Sequence, residues 1–89
     1  MVSRPRVLTT LSAMAGRGDD ILSVVDTSGF VPGQVLELKH PRLGGCEVVL
    51  LEGVAPIDDS LIVDRWSGRP QLFPVGSVVS VVATLRGSL

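Results

Sequence analysis

Gln34-Val35-Leu36-Glu37-Leu38-Lys39 is followed, after a loop over residues 40–45, by Cys46-Glu47-Val48-Val49-Leu50-Leu51-Glu52. The first run alternates. Leu36 and Leu38 fall on one side of an extended chain and Glu37 and Lys39 on the other, the period of a half-buried strand. The second run is apolar on both sides. Pro32-Gly33, just before the first run, is a type II turn pair, because proline fixes φ and glycine tolerates positive φ. The 40–45 loop, with Pro41, Gly44 and Gly45, joins the two runs as a hairpin. Further strand-like runs stand at 21–25, 61–65 and 77–85, separated by turn formers at 26–33, 53–60 and 66–76. Short strands at intervals of roughly ten residues, punctuated in this way, predict an all-β fold, a small barrel or sandwich of about five to six strands.

The organisation expected is an N-terminal arm over 1–20, a β-barrel domain over 21–85 and a short tail over 86–89. Within the arm, Arg4 and Arg6 precede a run at 7–11, led by Val7 and Leu8, that has strand character. Such an arm orders itself by adding a strand to a neighbour's sheet edge, or the run pairs inside its own barrel; the sequence leaves both open. Arg17-Gly18-Asp19 reads as a turn. The would-be apolar core near the N-terminus is about eight residues long and interrupted by Thr9, Thr10 and Ser12, so no secretion signal is expected.

With 45% hydrophobic residues in 89, the chain carries more apolar surface than so small a domain is expected to bury alone. In 46–52 and 78–82 neither face is polar, so either the sheet closes on itself or a neighbouring subunit covers one face. A net charge of −1 supplies no field to attract nucleic acid or anionic lipid. The aromatics are only Phe30, Trp66 and Phe73, too few for a base-stacking platform. No apolar run approaches the ~20 residues of a membrane-spanning helix. Neither nucleic acid nor a membrane is therefore expected as partner.

The residues that carry chemistry are sparse and scattered. His40 is the sole histidine and Cys46 the sole cysteine, which rules out an internal disulfide or a cysteine-based zinc cluster. Cys46 reads as a small hydrophobe and Asp58-Asp59 as a turn rather than a cation site. No serine pairs with the single histidine in a triad-like order, and no glycine-rich phosphate loop precedes a helix. The expectation is a protein that is not an enzyme, with no cofactor and no metal. The loop bearing Trp66, Arg69 and Phe73 has the composition of an interaction hot spot, or else its aromatics plug the barrel end.

A chain-wide set of spacings completes the reading: Ile21-x-x-Val24, Ser28-Gly29-Phe30, Gly33-x-x-Leu36-x-Leu38, Glu47-x-Val49, Gly53-Val54, Leu61-x-Val63-x-Arg65 and Gly76-Ser77-x-Val79. This series resembles a small β module that recurs in structural proteins of tailed bacteriophages and related virion-like particles. The module usually continues Arg-Gly-x-x-Gly-Thr and carries a His before its closing Gly; here the chain reads Arg65-Trp66-Ser67-Gly68-Arg69-Pro70, without that Thr or His. A free-standing chain of this kind with an arm is most similar to a capsid decoration (cement) protein. The resemblance implies a homo-oligomer, with a trimer favoured, bound to the major capsid protein or another virion protein on the capsid exterior after assembly in the host cytoplasm. A tail, baseplate or head–tail connector component, and a cellular SH3-like or OB-like adaptor binding a peptide, are the alternatives. Arg4, Arg6, Val7, Leu8, Trp66, Arg69 and Phe73 are the expected interface residues.

Overall fold

Each run of alternating or doubly apolar residues becomes a strand of one antiparallel sheet. A computed structural model describes residues 7–42, 45–65 and 71–84. Its strands are β1 (Leu8–Thr10), β2 (Ile21–Ser23), β3 (Gln34–Lys39), β4 (Cys46–Ala55), β5 (Ser60–Asp64) and β6 (Val78–Thr84), with a 3-10 turn at Pro56–Asp58 between β4 and β5. The strand order is β1-β6-β3-β4-β5-β2 and every pairing is antiparallel. The sheet curls into a half-barrel until its two outer strands meet. There Leu11 bridges Val24, Ser12 N–H donates to Ser23 O at 2.9 Å and Val25 N–H donates to Thr10 O at 3.0 Å.

Alternation decides what enters the core. In β3, Leu36 and Leu38 are fully buried while Lys39 is exposed. Their inward neighbours are Val49 and Leu51 from β4, Leu61 and Val63 from β5, Leu22 from β2 and Val79 from β6. From opposite ends of the barrel the loop residues Phe30 and Phe73 join the same cluster. The turn before β3 uses Gly33 at φ 95°, a conformation that L side chains rarely adopt.

Two features depart from the sequence reading. Gly53-Val54 does not break the strand: β4 runs on to Ala55, and the irregularity is a bulge. Leu51 pairs with Val63 and Gly53 with Ile62, so Glu52 is the extra residue. A second register shift, where Val81 opposes Leu36 and Ala83 opposes Val35, leaves Val82 extra on β6. Bulges increase local twist, and that twist helps a short sheet to curl.

The second departure is the N-terminal segment. Residues 7–20 are not an arm but part of the barrel. Thr9 pairs with Val79, and Val81 N–H donates to Val7 O at 3.0 Å. Leu11 and Ala15 are core residues, and Ala15 exchanges two backbone hydrogen bonds with Phe73, at 2.8 and 2.9 Å. The cause is edge satisfaction: without β1 the outer backbone groups of β6 would go unpaired.

Candidate interaction surfaces

The register of the strands gathers an apolar patch on the convex face of the sheet. Val35 of β3 lies between Ala83 of β6 and Leu50 of β4. One row along, Glu37 lies between Ser80 and Val48, and Leu8 of β1 lies opposite Ser80. The bulged Val82 joins the first row. Leu8 and Val82 are each 52% exposed and Val48 36%; Val35 and Leu50 are half-buried in the first row, and Ser80 and Glu37 stand between Leu8 and Val48 in the second. Adjacent strands are about 4.8 Å apart, so the four strands β1, β6, β3 and β4 spread this patch over roughly 14 Å. Curling therefore covers one face of the doubly apolar runs and leaves the other at the surface.

At the barrel end where β4 begins and β5 stops, an ion pair is sealed in. Glu47 and Arg65 sit on the inward side of strands whose other inward residues are Val49, Leu51, Leu61 and Val63. Their side chains are 1% and 3% exposed. The guanidinium Nε donates to Glu47 Oε2 at 2.8 Å and Nη2 to Oε1 at 2.6 Å, a bidentate fork. Nη2 also donates to Gln71 O, and Nη1 donates to Gly16 O and Asp19 O. An arginine has five N–H donors, and all five are used. Gln71 N–H donates to Glu47 Oε1 at 2.8 Å, and Gln71 Nε2 donates to Cys46 O at 3.0 Å. This node ties the 16–20 loop and the Gln71 segment to two strands. With no N–H left over, Arg65 is a fastening rather than an anion-binding group.

The expected interface residues divide. Arg4, Arg6, Trp66 and Arg69 lie outside the described residues. Leu8 is on the convex patch. Val7 packs against the core, close enough that a Cβ on Gly29 would meet its methyls at 3.1 Å. Phe73 is fully buried: of the two readings the sequence left open for it, it takes the barrel plug and not the interface anchor, its backbone bonded to that of Ala15, another core residue.

The other singled-out residues have modest surroundings. Cys46 is exposed at the start of β4. His40 caps the β3–β4 loop: its N–H donates to Gly45 O at 2.9 Å, and its Nδ1 accepts from Arg42 N–H at 3.1 Å. With Pro41, Arg42, Pro74, Val75 and Gly76 it lines an open cleft of about 500 Å³. Asp58 and Asp59 form the turn after β4, with Asp59 in the left-handed region at φ 49°. Asp26 Oδ1 accepts from Ser28 N–H at 2.9 Å, and that bond, helped by the Ser28 hydroxyl, holds the carboxyl below its ordinary range. No group of three or more His, Cys, Asp or Glu gathers among the described residues.

The Glu47–Arg65 pair and the Ile57 tip of the β4–β5 turn are what sequence reasoning missed. The first left a signal: Glu47 keeps inward register with Val49 and Leu51, and Arg65 with Leu61 and Val63. Two opposite charges at core positions of apolar strands call for each other. Set against family models, curated proteins and solved structures, the chain matches none of them.

Proposed function

We propose that the chain is a non-enzymatic virion structural protein, a small β-barrel that decorates and stabilises an assembled phage capsid through contacts between subunits. It acts on the capsid exterior as a homo-oligomer, a trimer being favoured. The observation that carries this reading is the convex apolar patch of Leu8, Val82, Val48, Val35 and Leu50. A standard interface removes about 800 Å² from each partner, roughly one seventh of this chain's 5859 Å² of accessible surface. At ~25 cal/mol per Å² of apolar area, even part of such a contact offsets the cost of immobilising the subunit when it is repeated across a lattice. The inward fastening of Arg65 supports the same reading, since a barrel whose end loops are tied down is a preformed building block.

The test is fractionation of purified particles from the chain's own source into heads and tails, with mass spectrometry for the chain. Stoichiometric copies in the head fraction are expected. Copies only in tails would move the protein to a tail or connector role, and absence from all particles overturns the reading. Val48→Lys with Val82→Lys should leave the isolated fold intact and release the protein from heads.

A further inference from the structure

We infer that copies of this chain contact one another head to tail, with the Ile57 turn of one copy seated in the cleft beside His40 and Pro74 of the next. This inference rests on the assembly reading above and names a contact within it. The two features stand at opposite ends of β4, a strand of ten residues. At one end, Ile57 is 98% exposed on the Pro56–Asp58 turn, and Val25 is exposed at the same end, since Val24 N–H donates to Asp59 O at 2.8 Å. The turn is held in shape rather than left to solvent. Asp59 N–H donates to Pro56 O at 3.2 Å, and the Ser60 hydroxyl donates to Asp58 O at 3.0 Å. A preformed apolar tip loses little conformational entropy on docking. At the other end the cleft is lined by His40, Pro41, Arg42, Pro74, Val75 and Gly76, an apolar floor with a cation beside it.

Charge differs between the two features. Of the four described Lys and Arg residues, Arg65 is paired with Glu47 and Arg17 shares its loop with Asp19 and Asp20, which leaves Lys39 and Arg42 as the cations beside the cleft. Asp26, Glu52, Asp58 and Asp59 lie toward the tip end, with no Lys or Arg among the described residues there. The anions at the cleft end that remain exposed are Asp19, Asp20 and Asp64. They belong to β5 and the approach to β2, strands that do not border the β3–β6 pair beside the cleft. Docking the tip thus places Asp58 and Asp59 near Lys39 and Arg42 and buries Ile57. A contact between two different patches is heterologous. It closes into a ring, a trimer included, when the rotation permits, and otherwise runs on as a chain.

Ile57→Ser removes the tip, and Arg42→Glu reverses the charge beside the cleft. Both positions are exposed, so both variants should fold, and circular-dichroism melts at the wild-type temperature are the control for it. In sedimentation velocity the full chain should self-associate, and each variant alone should do so at least ten-fold more weakly. Mixed, the two variants should form a 1:1 dimer at wild-type affinity and stop, because only one intact tip and one intact cleft remain between them. If either variant associates like wild type, or the mixture stays monomeric, the head-to-tail contact is wrong. If the wild type itself stays monomeric, the inference fails as well. The assembly reading is judged separately by Val48→Lys with Val82→Lys on purified heads, which leaves tip and cleft untouched.

Discussion

Replacing Arg65 with leucine should be among the most damaging single changes available to this fold. The substitution leaves the Glu47 carboxylate in a site where its side chain is 1% exposed, keeping the Gln71 N–H but losing both arms of the guanidinium fork. Removing one partner of a buried ion pair costs about 3–5 kcal/mol, because the remaining charge stays desolvated. The carbonyls of Gly16, Asp19 and Gln71 lose their donors too, although these loops can turn toward water. A domain of this length holds roughly 4–13 kcal/mol in total, so the loss takes about a quarter of its stability at the least. Since each kcal/mol shifts Tm by about 4–8 °C in a domain of this size, the drop should exceed 10 °C. Urea unfolding followed by far-UV circular dichroism, across wild type, Arg65→Leu, Glu47→Leu and the double variant, measures it. The double variant should recover about 2 kcal/mol or more relative to Arg65→Leu, because no orphan charge remains. Arg65→Lys should fall between, since a point charge cannot reproduce a planar fork. A cost below 1 kcal/mol for Arg65→Leu, or a double variant no better than that single one, would refute the reasoning.

Phe73→Ala empties a fully buried position at the barrel end and should cost about 3–5 kcal/mol, read from the urea midpoint at constant m; a midpoint shift worth less than 1 kcal/mol would return Phe73 to the surface. Deleting residues 1–18 removes β1 together with Leu11 and Ala15 from the core and should unfold the domain, where a detachable arm would leave a native circular-dichroism spectrum. Asp26, whose carboxylate accepts from Ser28 N–H, should titrate by NMR below the ordinary Asp value of about 3.9. Its folded-state pKa is depressed, so its stabilisation is complete above the unfolded value and is lost as pH falls through the folded one. Ser28→Pro removes that N–H and should raise the midpoint; an unmoved midpoint would assign the shift elsewhere.

Much of this was readable along the chain. Strand β3 has the bounds its alternation predicts, Gly33 takes the positive φ that the Pro32-Gly33 pair calls for, and the β3–β4 hairpin follows from the loop between them. Local pattern suffices there because the side-chain period of a strand and the φ preferences of Pro and Gly are properties of neighbouring residues. The Glu52 bulge escaped, since Gly53-Val54 looks like a break unless the partner strand is known to continue past it. The convex patch was half visible: a run with no polar face says that something must cover it, but not which side the sheet itself will cover.

What the sequence determined by itself, then, is the element inventory: an all-β chain of short strands, doubly apolar in two of them, with few residues able to do chemistry. The tertiary structure alone decided which strands meet. Pairing β1 with β6 and β2 with β5 joins segments about seventy and forty residues apart, and no local signal encodes such partners. Their choice comes from closing a curled sheet so that its edges and its apolar side are satisfied together. That closure makes residues 7–15 core instead of arm, turns Phe73 inward, and brings Glu47 to Arg65 across eighteen residues. It leaves Ile57 and the His40–Pro74 cleft at opposite ends, because each lies on a connection that the barrel must push to its rim.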